Sequence, residues 1–226
     1  MYNLSGKIAA ITGIGGPEDD FSNGKAISCL LAAQGAHIEG LDINQRDGAH
    51  TQAKITDAGG SCALTLGDAT SEADINKWIE NIIAKHGRID ILVNNSGVSK
   101  TQKILDVQPE DFDYTFGANT KGAFFVAQAI GRRMLLRAKA AQDSNQVLPQ
   151  QRIIQVASIT GLKAIAQISV YRMSKAAVVQ MTKAMALEWG RYGINVNAIC
   201  PGYIETEMTA AHWQTEAGQK LIQKLP

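Results

Sequence analysis

Short, almost uninterrupted apolar runs alternate along the chain with longer segments in which apolar residues recur every three or four positions. Runs of the first kind suit β-strands buried on both faces, and segments of the second kind suit amphipathic helices. A polar stretch at 139–151 is predicted to be a surface loop. The predicted strands are Lys7–Thr12, His37–Asp42, Cys62–Leu66, Ile89–Asn94, Arg152–Ala157 and Ile194–Ile199, and the clearest predicted helices are Lys25–Gln34, Ser71–His86, Asp111–Ala138 and Val170–Tyr192.

This regular alternation of strand and helix favours a parallel sheet with helices on both faces. We therefore predict an α/β fold of three layers, with a doubly wound Rossmann-type parallel sheet, in a single domain spanning residues 1–226. Polar or glycine-rich residues follow each predicted strand. Because ligands of such sheets bind at the carboxyl ends of the strands, six such ends together predict a dinucleotide crevice.

The loop after the first strand, TGIGGPEDDFSNG at 12–24, resembles a phosphate-binding turn but carries three carboxylates. It does not fit G-x-G-x-x-G, so an ordinary structural turn is the alternative interpretation. We expect Gly13 to start the turn and Ser22, Asn23 and Gly24 to bring the chain to a helix N-terminus. Backbone N–H groups there would receive the pyrophosphate, and residues 14–21 would bulge outward with their acids in solvent.

Asp42, at the end of the second predicted strand, selects between the two nicotinamide cofactors. A carboxylate there can accept hydrogen bonds from the adenosine ribose hydroxyls and would repel a 2′-phosphate. The next residue, Ile43, supplies no compensating cation. NAD(H) is therefore favoured, with NADP(H) as the alternative, and a simple helix N-cap is the competing role for Asp42.

Composition excludes several classes of function. The formal net charge of +1, without a basic stripe, gives no support for nucleic-acid binding. No apolar run reaches membrane-spanning length, and the N-terminus lacks the apolar core of a signal peptide, so we expect a cytoplasmic protein. The three cysteines are interpreted as small buried apolar residues, and the four histidines form no metal-ligand pair at helical spacing. No metal site is predicted.

Tyr171 and Lys175 are four residues apart in a predicted helix, so they share one face. Moving a tyrosine pKa from about 10 to about 7 takes roughly 4 kcal/mol. An ammonium about 4 Å away supplies a Coulomb energy of that size at an effective dielectric constant near 20. The pair could therefore perform acid/base catalysis, although Tyr-x-x-x-Lys alone is common on helix surfaces.

Residues 7–206 resemble the short-chain dehydrogenase/reductase family in the order of their motifs. NNSG at 94–97 is similar to the family's NNAG, and Asn119 matches the asparagine of its fourth helix. Ser158 precedes Tyr171 by the usual 13 residues, and YRMSK reads as YxxxK. PGYIET at 201–206 is similar to the loop that closes on the nicotinamide.

This resemblance implies a role for each matched residue. Tyr171 would exchange a proton with the substrate oxygen, Ser158 would hydrogen-bond that oxygen, and Lys175 would lower the tyrosine pKa and bind the nicotinamide ribose. Asn119 would hold a water that relays protons. The predicted catalytic residues are thus Asn119, Ser158, Tyr171 and Lys175, and the predicted cofactor-binding residues are Gly13, Ser22, Asn23, Gly24, Asp42, Ile43, Asp68, Ala69, Asn94, Gly97, Tyr171, Lys175, Pro201, Gly202, Ile204 and Thr206.

The leading hypothesis is an NAD(H)-dependent oxidoreductase acting on a secondary alcohol or carbonyl compound. An NADPH-dependent 3-oxoacyl thioester reductase is the alternative enzyme, and a non-catalytic nucleotide-binding scaffold is the alternative of another class. Residues 201–226 are expected to form a substrate lid, and the pocket is expected to take a neutral or apolar small molecule. Family members typically continue through a further helix and strand, so we expect an incomplete chain and a homotetramer or homodimer.

Overall fold

Six β-strands form where the sequence has its continuous apolar runs, and each lies within two residues of its predicted bounds. The computed structural model describes residues 3–18, 22–163, 167–204, 214–216 and 218–219. All five residues of the first strand are buried, as expected for a strand covered on both faces. The strands are β1 (Ile8–Thr12), β2 (His37–Asp42), β3 (Ser61–Leu66), β4 (Ile91–Asn94), β5 (Gln151–Val156) and β6 (Ile194–Ile199).

The strands pair in the order β3-β2-β1-β4-β5-β6, and every pairing is parallel. Strand order reverses between β1 and β4, where Thr12 lies opposite Asn94. The predicted doubly wound parallel sheet is therefore confirmed. Its switch point, the place where such sheets bind ligands, lies at the carboxyl ends of β1 and β4.

Helices cover both faces of the sheet and bury two apolar clusters against it. One cluster joins Trp78 and Ile130 to Leu92 and Ile153 of the strands. The other contains Ile11, Ile38 and Ile55. The helices are α1 (Asn23–Ala33), α2 (Gln45–Asp57), α3 (Glu72–His86), α4 (Pro109–Phe116), α5 (Ala123–Asp143) and α6 (Ser169–Trp189).

The long helix predicted at 111–138 is interrupted in the structure. The first part, α4, begins with Pro109 at its first turn, where the missing N–H is tolerated. A π-helical turn, Gly117–Gly122, then joins α4 to α5. The second part, α5, extends to Asp143, so only 144–150 of the predicted loop lies outside helix and strand. None of the described helices meets the length and hydropathy that crossing a membrane requires.

Candidate active site

A cavity of about 770 Å³ lies at the carboxyl ends of the strands. Residues that follow all six strands line it, so the polar strand ends identified in the sequence do meet at one edge of the sheet. The volume is in the range of small-molecule sites. Of the predicted residues, those that line it are Gly13, Ser22, Asn23, Gly24, Asp42, Ile43, Asp68, Ala69, Gly97, Ser158, Tyr171, Lys175, Pro201, Gly202 and Ile204.

The loop between β1 and α1 turns at Gly13, whose φ of +65° is a left-handed conformation that favours glycine. The N–H of Gly13 donates to the Leu41 carbonyl at 2.8 Å. Ser22 is the N-cap of α1: its hydroxyl accepts a hydrogen bond from the Lys25 N–H at 3.0 Å and donates to the Gly15 carbonyl at 2.6 Å. The loop therefore delivers the N-terminus of α1 to the cavity.

The expected outward bulge of residues 14–21 is wrong for its first part, because Ile14 is fully buried in the core and 15–17 line the cavity. Glu18, the described acidic residue of this loop, does not line the cavity. The side chain of Glu18 is 72% exposed and its Oε2 lies 3.8 Å from Nε2 of His50. Lys25 is 1% exposed, and its ammonium group donates to the carbonyl oxygens of Pro17 and Glu18 beneath the loop. Asp19 and Asp20 lie outside the described residues. The buried ammonium of Lys25 was not foreseen from the sequence.

Gly24 permits a very close approach of α1 to the end of β1. A Cβ atom at this position would lie 1.8 Å from the Gly13 carbonyl oxygen and 2.8 Å from Nδ2 of Asn95. That Nδ2 atom itself donates to the Gly13 carbonyl at 2.8 Å. The first turn of α1 thus packs directly on the loop backbone, with no space for a side chain at position 24.

Asp42 connects the second strand to the same loop. Its Oδ2 accepts the Gly15 N–H at 2.7 Å, and its Oδ1 accepts the Asn44 N–H at 2.8 Å. The N-cap of α2 is Asn44, whose side chain accepts the Asp47 N–H, so Asp42 is not the helix cap of the competing interpretation. Each carboxylate oxygen keeps a lone pair for a further donor.

The two asparagines after β4 face different ways. The side chain of Asn94 is buried, where Nδ2 donates to the Ala123 carbonyl at 2.6 Å and Oδ1 accepts the Thr12 hydroxyl at 3.2 Å. Asn94 does not line the cavity, whereas Asn95 and Ser96 do. Sequence reasoning missed these two lining residues, although the alternation of strand faces admits only one asparagine of the NN pair on the cavity side.

Ser158, Tyr171 and Lys175 meet at one end of the cavity, brought there by the end of β5 and the first turns of α6. Tyr171 and Ser158 share a hydrogen bond. The Lys175 ammonium donates to the Val156 carbonyl at 2.8 Å and lies 5.8 Å from the centroid of the Tyr171 ring. Lys175 and Ser158 are 4% and 7% exposed, and Tyr171 is partly buried beside them.

Burial controls the acidity of this group. It raises the pKa of the Tyr171 phenol, while the hydrogen bond with Ser158 acts in the opposite direction. It lowers the pKa of the Lys175 ammonium to about 8. The predicted lowering of the tyrosine pKa by Lys175 is therefore not seen, because loss of solvent outweighs the other influences and the ammonium is directed at the Val156 carbonyl.

Asn119 lies in the π-helical turn and is 1% exposed. Its Oδ1 accepts the Val98 N–H at 2.7 Å, and its Nδ2 donates to the Val98 carbonyl at 2.9 Å and the Ser174 hydroxyl at 3.0 Å. Both amide protons are therefore used by protein groups. Asn119 joins the segment after β4 to α6 and does not itself line the cavity. Thr206 lies outside the described residues.

Comparison with known proteins identifies the group to which this arrangement belongs. Residues 7–217 match the model of the short chain dehydrogenase family. The chain belongs to that family. It is an oxidoreductase of the short-chain dehydrogenase/reductase type, as the ordered motifs predict.

Individual members of the family resemble the chain over almost its whole length. The NAD-dependent glycerol dehydrogenase of Listeria innocua is 33% identical over 225 residues, which are 100% of this chain and 81% of the relative. An NAD⁺-bound xylitol dehydrogenase has a TM-score of 0.84 at 28% identity, covering 99% of this chain and 86% of the other. The 3-ketoacyl-(acyl-carrier-protein) reductase of Brucella melitensis, complexed with NADH, has a TM-score of 0.81 at 28% identity, covering 92% and 80% respectively.

Proposed function

We propose that this member of the family interconverts a secondary alcohol and its carbonyl compound with NAD(H), using Tyr171 as the general acid/base. The observation that carries the proposal is the meeting of Ser158, Tyr171 and Lys175 at one end of the strand-end cavity, with Ser158 and Lys175 buried. NAD(H), when bound, supplies the hydride acceptor in alcohol oxidation and the hydride donor in carbonyl reduction. The protein then has to place the substrate oxygen and move one proton.

The residues at this end of the cavity fit these two tasks. A phenol is protonated at neutral pH at its ordinary pKa of about 10, and burial raises the pKa of Tyr171 further, so Tyr171 can donate its proton to a carbonyl oxygen during reduction. In oxidation, the phenolate would accept the alcohol proton. Ser158 already hydrogen-bonds the phenol, and it would hydrogen-bond the substrate oxygen beside it. Lys175, which lines the cavity beside them, would hold the nicotinamide ribose with its ammonium group.

A proton relay through Asn119 would use the main chain of that residue. Both amide protons and one lone pair of its side chain are committed to Val98 and Ser174, and the side chain is buried. The side chain therefore acts as a brace that shapes the π-helical turn. A relay water would contact the backbone of that turn.

The charges of the cavity support a preference for NAD(H) over NADP(H). Among the described residues that line it, Lys175 is the sole cation and stands at the catalytic end. Asp42, Asp47 and Asp68 line the region of the β2 and β3 strand ends. A ribose 2′-phosphate would lie near these carboxylates without a partner cation, whereas a 2′-hydroxyl could donate to Asp42. The names of the Listeria and xylitol enzymes agree with this preference.

The residues present also fit the rest of a dinucleotide. Gly13, Ser22 and Gly24 bring the N-terminus of α1 to the cavity, where a pyrophosphate would be held by N–H groups and the helix dipole. Gly97 lies where a Cβ would approach the Lys175 ammonium to 3.2 Å, so glycine leaves room beside the catalytic group. Pro201, Gly202 and Ile204 would contact the carboxamide end.

Titration of the purified chain with NADH and NADPH in parallel tests the cofactor assignment. Tighter binding of NADH is expected, and a preference for NADPH would overturn it. Small polyols form the first substrate panel, since glycerol and xylitol are named for two of the similar proteins. A second candidate, reduction of a 3-oxoacyl thioester, is favoured by the similarity to the Brucella enzyme and belongs in the same panel.

A further inference from the structure

A second cluster of titratable side chains lies at the amino-terminal ends of the strands, opposite the end that carries the cavity. His37 is the first residue of β2, and Glu39 follows two residues later, so both project from the same face. His86, the last residue of α3, packs against them, and Lys85 and Ser61 complete the group. The amino and carboxyl ends of β2 are about 17 Å apart, which separates this cluster from the cofactor site.

The three side chains converge on one point. Oε1 of Glu39 lies 2.8 Å from Nε2 of His37 and 2.7 Å from Nε2 of His86. The two imidazole rings are 4.6 Å apart between centroids, at an interplanar angle of 49°. The three potential ligand atoms all lie within 4.8 Å of one another.

We propose that His37, Glu39 and His86 bind a divalent first-row transition metal ion, with zinc as the best match. Two imidazole nitrogens and a carboxylate oxygen form a ligand set that zinc accepts, with a fourth position left for water. Bonds of about 2.0–2.1 Å in a tetrahedral arrangement place ligand atoms about 3.3 Å apart. The two oxygen–nitrogen distances need to open by about 0.6 Å, and the two imidazole nitrogens, which lie within 4.8 Å of each other, need to come to about 3.3 Å.

The surroundings of the cluster suit a cation. Nδ1 of His37 lies 2.6 Å from the Ser61 hydroxyl, the kind of outer contact that orients a ligating histidine. His86 stands at the C-terminal end of α3, where the helix dipole favours positive charge. The side chain of Glu39 is 6% exposed and those of His37 and His86 are 19% and 15% exposed. The site is therefore mostly dry but open to an ion from solvent.

Lys85 is the competitor for this site. Its ammonium group lies 3.1 Å from Oε1 of Glu39 and would repel a bound metal ion. The side chain is 54% exposed, so it can move into solvent when an ion enters. Removing its charge without removing a ligand should therefore strengthen metal binding, which a hydrogen-bonded network alone would not predict.

This proposal is independent of the proposed function, and calorimetric titration of chelator-treated chain with Zn²⁺ tests it directly. We expect one ion per chain, and Co²⁺ in its place should give a visible spectrum of nitrogen and oxygen ligation. His86→Gln should weaken Zn²⁺ binding by about 100-fold or more, and Ser61→Ala by about 10-fold, as losses of ligand and supporting contact do. Lys85→Met should tighten binding.

His50→Gln is the matched control, because it makes the same substitution at a histidine on α2 outside the cluster. It should leave Zn²⁺ binding unchanged. Absence of stoichiometric binding to the native chain would overturn the proposal, and so would binding that survives His86→Gln. Circular dichroism checks the fold of each variant. If His86→Gln fails to fold, Ser61→Ala and Lys85→Met decide the question, since unchanged affinity in both would place the ion elsewhere.

Discussion

Replacing Gly24 with alanine tests how the cofactor loop is built. The added Cβ would lie 1.8 Å from the Gly13 carbonyl oxygen, about 1.6 Å short of the 3.4 Å at which ordinary contacts begin. The obstacle is backbone, which cannot rotate away as a side chain does. The first turn of α1 must therefore move away from β1 by more than 1 Å, and the hydrogen bond from Asn95 to Gly13 must lengthen or break.

The size of the effect follows from this displacement. Overpacking of a close contact destabilises a protein by about 1–3 kcal/mol, which lowers the melting temperature of a chain of this length by roughly 2–12 °C. Losing one hydrogen bond to a charged group such as the pyrophosphate costs about 1.5–3 kcal/mol, which is roughly 10–150-fold in affinity. We therefore expect Gly24→Ala to bind NADH about 100-fold more weakly, because the N–H groups of the first turn move with the helix.

Thermal unfolding and fluorescence titration with NADH measure the two quantities separately. Gly190→Ala is the matched control: Gly190 ends α6 with φ of −55°, and a Cβ there meets nothing within 4 Å. That variant should keep its NADH affinity and be equally or slightly more stable. A Gly24→Ala chain with native stability would refute the packing argument. A destabilised chain with native NADH affinity would refute the placement of the pyrophosphate at α1.

Three further substitutions test the catalytic group, the cofactor preference and the core. Tyr171→Phe should leave the NADH dissociation constant unchanged and reduce turnover by about 10²–10⁴ in steady-state assays; unchanged turnover would remove the phenol from the mechanism. Alcohol oxidation by the native chain should accelerate as pH rises above neutral, since the pKa of Tyr171 is raised and oxidation needs the phenolate. Asp42→Ala should weaken NADH binding by about 10–150-fold, the loss of a hydrogen bond to a charged group, and narrow the gap to NADPH; equal losses for both cofactors would show a purely structural residue. Asp90 is buried, and although burial raises its pKa, the Ile8 N–H and the guanidinium groups of Arg137 and Arg88 outweigh it and lower the pKa. Asp90→Asn should therefore reduce the free energy of unfolding by about 3 kcal/mol at neutral pH. A carboxyl whose pKa is lowered in the folded state stabilises the fold above its unfolded-state pKa, and this stabilisation is lost as pH falls through the lowered pKa. Urea titrations should therefore show the difference between the two chains shrinking as pH falls below about 5.

The strands could be predicted because a strand buried on both faces needs apolar residues at every position. The strand ends could be predicted for the same reason, since polar residues such as Asp42 and Ser158 end the apolar run. The spacing of Tyr171 and Lys175 indicated a shared face, and the structure brings both to the cavity. The sequence pattern was therefore sufficient for features that depend on neighbouring residues of one strand or one helix.

The features that the sequence did not reveal depend on distant contacts. The sequence pattern does not reveal the π-helical turn at 117–122, because the backbone stays helical there and a single turn is short compared with the predicted helix. The upward shift of the Tyr171 pKa depends on burial, which cannot be inferred from the sequence spacing of Tyr171 and Lys175. Helical spacing of histidines does not indicate the cluster of His37, Glu39 and His86, because His37 and Glu39 are two residues apart on a strand and His86 comes from a helix.

The pairing of β1 with β4 also has a consequence for the kinetics of folding. The Thr12 hydroxyl donates a hydrogen bond to Asn94, and the Asn95 side chain donates one to the Gly13 carbonyl; each pair is 82 residues apart in the sequence. The cofactor crevice therefore exists only after a long loop has closed, a step that is slow compared with the formation of single helices. During refolding, recovery of NADH fluorescence should lag behind recovery of helical circular dichroism, so the cofactor itself reports the completion of the central sheet.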